Sequence, residues 1–161
     1  MRKLLIGATA LVMMLAMTLP AMGDTTDTIE VTLDPSAEIS ISVDQATWTP
    51  TCGLGEENET ATDWATITND GEVNVTVNVK AEDSNDWTIE SAEGHDQFVL
   101  RMYIGSSWTA LTDEDQIFTE DFPPYAGADT IDFGLNVTMP TTSSTSQSQS
   151  VTITFTASAS A

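Results

Sequence analysis

The sequence predicts an all-β protein, and three observations carry that prediction. Apolar and polar residues alternate with a period of two in segment after segment, no stretch beyond residue 23 repeats with a helical period, and Ser and Thr make up 40 of the 161 residues. Such alternation buries one face of a strand and wets the other, and threonine suits the wet face. About eight or nine short strands at this spacing indicate an antiparallel two-sheet β-sandwich, immunoglobulin-like or jelly-roll, placed after an N-terminal signal helix.

Residues 1–23 (MRKLLIGATALVMMLAMTLPAMG) read as that signal peptide. Arg2 and Lys3 precede an apolar run from Leu4 to Leu19, Pro20 breaks it, and Ala21-Met22-Gly23 offers small residues for cleavage. The run falls short of the ~20 residues that span a bilayer comfortably, and no cysteine follows it to take a lipid. The expectation is export and release of residues 24–161 as one β-sandwich domain, extracellular or at the cell surface, with no membrane contact after cleavage.

The strands follow in order. Ile29, Val31 and Leu33 alternate with Glu30 and Thr32, and residues 24–38 form this N-terminal strand and its connector. Ile39, Ile41 and Val43 resume the pattern. Thr49 to Asp63 is polar and acidic and reads as a long loop or edge excursion. Ala65 and Ile67 precede Asn69-Asp70-Gly71, a strong turn signal, and Val73, Val75, Val77 and Val79 follow, so a hairpin is expected here. Further strands are expected at Trp87–Glu90, Phe98–Ile104 and Ile117–Phe122. Ile131 to Met139 and Val151 to Ala157 each present one apolar face. Thr141–Ser150 (TTSSTSQSQS) is low in complexity and reads as a mobile hairpin loop between the last two strands.

Charge and composition narrow the function. The chain has 25 acidic and 4 basic residues, and only Lys80 and Arg101 of the bases lie beyond the signal, so the exported chain carries a formal charge of −23. That excess repels phosphate backbones and anionic lipid, which excludes nucleic acid as a partner. One histidine and one cysteine leave little for acid–base, thiol or metal chemistry. Cys52 cannot form an internal disulfide, and it is buried, bridges two chains or stays free. Gly105-Ser106-Ser107-Trp108 does not match a nucleophile turn, Gly53-Leu54-Gly55 lacks the third glycine of a dinucleotide loop, and nothing around Cys52 or His95 supports a thiol–imidazole pair. The protein is expected not to be an enzyme and to have no catalytic residue.

Three N-glycosylation acceptor patterns start at Asn58, Asn74 and Asn136, and the alternation puts Asn74 and Asn136 opposite their apolar neighbours, open to modification. Asp83, Asn85 and Asp86 make an oxygen-rich loop that could hold a structural calcium ion, although the glycine and flanking helices of the helix-loop-helix calcium motif are missing; no other cofactor is implied. Trp48, Trp64, Trp87 and Trp108 are expected to seal sheet edges and core, while Arg101 and Tyr103 fall opposite Phe98, Leu100 and Met102 and face any ligand.

The N-terminal strand matters energetically. Ile29, Val31 and Leu33 contribute ~1.5–3 kcal/mol each when buried, a large share of the ~5–15 kcal/mol that holds a domain together. Residues 34–38 can turn back as a hairpin, or Pro35 can hold them extended over roughly 15–17 Å to reach a neighbour, adding the strand to the next subunit's sheet. With its signal, N-terminal strand and Thr/Val-rich sandwich, the chain resembles secreted archaeal and bacterial surface proteins, among them subunits of TasA-like and archaeal bundling filaments. The segments WATITNDGEVNVTVNVK and TMPTTSSTSQSQSVTITFTA carry the likeness, which is one of strand pattern over most of residues 24–161. The acidic balance is similar to that of proteins from salt-loving archaea. The resemblance implies a homopolymer whose docking strand is Ile29, Val31 and Leu33. The alternative expectation is a secreted monomeric binding module for glycan or calcium, with Tyr103, Trp108 and the acidic loops as its surface.

Overall fold

The structure, a computed structural model, describes residues 37–160. The expected signal at 1–23 and the expected docking strand Ile29, Val31 and Leu33 therefore lie outside the described residues. Those described form ten strands and no helix: β1 (Ile41–Val43), β2 (Glu57–Glu59), β3 (Ala65–Asn69), β4 (Val75–Ala81), β5 (Thr88–Ile89), β6 (Gln97–Ile104), β7 (Ser107–Ala110), β8 (Gln116–Phe122), β9 (Thr130–Thr138) and β10 (Ile153–Ala159). The all-β, two-sheet expectation is met.

One sheet has the order β1-β3-β9-β6-β5, with β2 also on β9 and β7 also on β6; the other has the order β10-β4-β8. Every pair is antiparallel except β5 with β6, which is parallel. Two of the ten strands, β2 and β7, were not expected. β2 lies inside the stretch read as a loop or edge excursion and pairs with the second half of β9. β7 forms a hairpin with β6 around Gly105 and Ser106, where Gly105 takes the positive φ (66°) that two-residue hairpin turns need at their first central position.

The period-two pattern sets which side chains meet. Val75, Val77 and Val79 of β4 are 0–1% exposed and face Ile67, Phe98, Leu100, Met102, Phe133 and Leu135 of the larger sheet. Three phenylalanines join the layers. The Phe118 ring lies edge-on to Phe133 (6.0 Å) and to Phe155 (5.5 Å), and Phe133 and Phe155 are 5.4 Å apart. Aromatic pairs in such tilted and edge-on geometries add ~0.5–1.5 kcal/mol each beyond their burial.

Two connections differ from expectation. β3 and β4 do not form a hairpin: β3 pairs with β1 and β9, and β4 with β10 and β8. The turn signal specified a change of direction but not the partner. Asn69, only 2% exposed, decides it, because its Nδ2 donates to the carbonyls of Val73 and Phe122 and binds the end of β3 to the other sheet. Likewise β9 and β10 belong to different sheets, so Thr141–Ser150 is a crossover between layers. It is tied down at several points, including Asp96 N–H to the Thr142 carbonyl and Thr141 N–H to the Gly94 carbonyl, both backbone bonds.

Candidate functional site: an apolar cleft beside an open strand edge

The two sheets differ in width. The strands of the larger sheet are staggered, so at one level it is four strands wide, as in Glu59–Asn136–Arg101–Ala110, which at ~4.8 Å spacing span about 14 Å, whereas three span about 10 Å. The inner face of the larger sheet therefore extends past the smaller one, and the overhang lies on the β10 side. A cleft of about 840 Å³ opens there. Phe98, Leu100, Phe133, Leu135 and Val137 line it from the larger sheet, Ile153 and Phe155 from β10, and residues 45–52 and 147–151 from the loops.

The burial of neighbouring strands records the same deficit. Phe155 pairs with Val79 and Ala157 with Val77, so these residues share one inward face. Val77 and Val79 are fully buried, while Ile153, Phe155 and Ala157 are only half-buried. An inward-facing phenylalanine stays half wet when no strand lies beyond it.

Register also fixes the direction of the β10 backbone. Glu82 N–H donates to the Thr152 carbonyl and Ser160 N–H to the Asn74 carbonyl, each at 2.9 Å. In an antiparallel pair the hydrogen-bonding residues alternate, so the even-numbered residues of β10 bond to β4. The N–H and C=O groups of Ile153, Phe155, Ala157 and Ala159 point away from β4. Among the described residues no strand pairs with that edge.

Three of the four tryptophans belong to this cleft. Trp48 and Trp64 pack with ring centroids 6.3 Å apart, and the Trp87 Nε1–H donates to Ser143 Oγ at 2.8 Å. All three are half-buried, so they border the cleft rather than fill the core. Cys52 also lines it, with burial foremost and the Glu56 charge second in pushing its thiol pKa up. A raised pKa keeps the sulfur protonated and unreactive near neutrality.

His95 sits elsewhere, in an exposed polar cluster. Its Nδ1 is 2.9 Å from Thr142 Oγ1, and its Nε2 is 3.3 Å from Asp96 Oδ2. A hydroxyl, an imidazole and a carboxylate in sequence can serve nucleophilic catalysis, but only inside a cleft with oxyanion donors. Here the histidine side chain is 66% exposed and does not line the cleft. Asp96 is occupied in holding the crossover: Oδ1 accepts from Ser144 N–H (2.8 Å) and from Ser143 Oγ–H (3.0 Å). The Ser144 amide is the chief cause of its lowered pKa. The cluster fastens residues 141–150 to the turn before β6.

The remaining sites expected from sequence are dispersed. Asn74 is exposed and Asn58 half-buried, but Asn136 is 5% exposed and accepts a hydrogen bond from the Arg101 guanidinium at 3.2 Å. The expected openness of Asn136 is thus corrected: alternation turns it to the outer face, and there the neighbouring strands and Arg101 cover it. Asp83 Oδ1 accepts from Ile89 N–H, and Asp86 Oδ2 accepts from the Gln149 amide, so these carboxylates serve different partners, and no group of three metal-ligating side chains is found among the described residues. Tyr103 and Trp108 form an edge-on pair at 5.3 Å on the outer face, while Arg101 is bonded to Asn136 and Thr138. Sequence reasoning missed the cleft, because only the unequal width of the sheets creates it. In a search against known proteins no family model matches this chain, and no characterised protein matches it significantly.

Proposed function

We propose that this protein is a non-enzymatic extracellular structural subunit, exported through a cleaved signal and assembled with copies of itself into a surface filament or cell-envelope layer by β-strand donation. The building block is an immunoglobulin-like or jelly-roll sandwich, and Ile29, Val31 and Leu33 form the donated strand. One observation carries the reading: the sandwich has an apolar cleft beside an unpaired seven-residue edge among its described residues. Open edges and wet aromatic walls promote uncontrolled pairing, so a fold that has both gains from a strand that closes them. The charge of −23 suits an exported, highly solvated surface and makes close packing of copies dependent on salt or divalent cations.

The direct test is electron microscopy and sedimentation of the purified exported chain over a range of concentration and salt. Filaments or sheets that grow with concentration support the reading, and a monomer under every condition overturns it. The half-buried Tyr103–Trp108 pair favours a second reading, a monomeric glycan-binding module. Glycan-array binding that is lost in Trp108→Ala, by a chain that never assembles, would select it.

A further inference from the structure

Building on the strand-donation reading, we infer that the acceptor is the outer edge of β10, and that its occupant is the Ile29–Leu33 segment of a second copy. The other edges among the described residues are poor templates. β1, β2, β5 and β7 are two to four residues long. β8 has seven residues, but its register with β4 slips between Val75 and Val77 and again between Val77 and Asn78, Asp121 stands at φ 50°, and Glu120 and Asp121 are exposed. Short strands, bulges and charges are the devices that keep edges from pairing. β10 has none of them. Its register with β4 is unbroken over seven pairs, and Ile153–Ala159 contains no charge and no proline.

The donor matches this edge in length and chemistry. Residues 24–36 contain one alternating aliphatic run, Ile29, Val31 and Leu33. At ~3.3 Å per residue those three side chains cover the same distance as Ile153, Phe155 and Ala157, which share one inward face at the same period, the first two lining the cleft. A strand on the β10 edge takes its hydrogen bonds from the outward backbone of Ile153, Phe155, Ala157 and Ala159. Its aliphatics then enter the cleft against Phe155 and the tryptophans. Glu30 and Thr32 fall on the opposite face, beside Thr154 and Thr156, where no charge opposes the glutamate.

The test uses full exported chains. In the donor variant Ile29, Val31 and Leu33 all become Thr, which keeps strand propensity and removes the apolar contacts. The acceptor variants are Ala157→Pro and Ala159→Lys. Ala157 N–H points away from β4, so proline there removes no ladder bond among the described residues; the lysine places a charge on the exposed end of the edge by a second mechanism. Circular dichroism and melting establish that each variant folds. The expected result is loss of polymer in all three. A mixture of the donor variant with Ala157→Pro, one holding the intact acceptor and the other the intact strand, should stop at dimers. Tryptophan emission should shift to the blue on assembly and in those dimers. If wild type and both acceptor variants polymerise alike, the acceptor lies elsewhere, although the filament reading stands. If wild type remains monomeric at every concentration, strand donation fails, and this inference with it.

Discussion

Replacing Asn69 with alanine tests whether one buried amide steers the chain from the larger sheet into the smaller. The side chain makes three hydrogen bonds: Nδ2 donates to the carbonyls of Val73 (3.0 Å) and Phe122 (2.8 Å), and Oδ1 accepts from Gly71 N–H (3.0 Å). Alanine removes one buried bond, to a Phe122 carbonyl that its ladder pairing with Val75 still engages, and two partly buried bonds, at about 0.5–1.5 kcal/mol each. The sum, about 1.5–4.5 kcal/mol, is a large fraction of a typical domain stability of ~5–15 kcal/mol. Urea unfolding below any assembly concentration should show it as a lower midpoint at unchanged slope. Asn74→Ala, at an exposed position nearby, should stay within about 0.5 kcal/mol of wild type. Asn69→Asp adds a pH signature. A carboxylate there faces two carbonyls, so its folded pKa rises. Stability should then recover as pH falls through the raised value, with full recovery below the ordinary aspartate value of about 3.9. If Asn69→Ala cost no more than Asn74→Ala, the amide would not hold the crossover, and the reasoning would be refuted.

Other outcomes are equally specific. The Asp96 carboxylate has a lowered folded pKa, chiefly through the Ser144 amide, so its hold on residues 141–150 is complete above the ordinary aspartate value and is lost as pH falls through the depressed one. Faster hydrogen exchange at Ser144 in that acid window, and at all pH values in Asp96→Ala, checks it. Gly134→Ala would bring a Cβ to 2.5 Å from the Ala61 carbonyl oxygen and 3.0 Å from Thr62 Cα. Because both are backbone atoms, urea unfolding should show a loss of about 1–3 kcal/mol. Cys52 should react with maleimide more slowly than free cysteine at neutral pH, speed up about tenfold per pH unit below its raised pKa, and react faster in Glu56→Gln. Thermal unfolding should shift upward with added salt as the acidic surface is screened, and no change between low and high salt would contradict the charge argument.

Most strands were legible because alternation is a local signal. Val75, Val77 and Val79 announce a buried face, and the structure buries all three. The Asn69-Asp70-Gly71 turn was legible as a turn and not as a crossover, because the residues that bind Asn69 include Phe122, 53 positions away. The same limit applies to Asn136. Its face followed from alternation, but its cover came from Arg101 on another strand. Thr141–Ser150 read as a free loop because its anchors, Asp96 among them, lie more than 40 residues earlier.

By itself, the sequence determined the all-β class, the acidic surface and the inward faces of the strands it revealed, since these depend on residues two apart and on net charge. Only the tertiary structure decided which strands share a sheet, that at one level four stand over three, and that β10 keeps one edge unpaired among the described residues. Pairing depends on contacts between residues far apart in the chain, and a local pattern carries no information about them. The cleft beside β10 is a difference between two sheet widths, so no single strand encodes it.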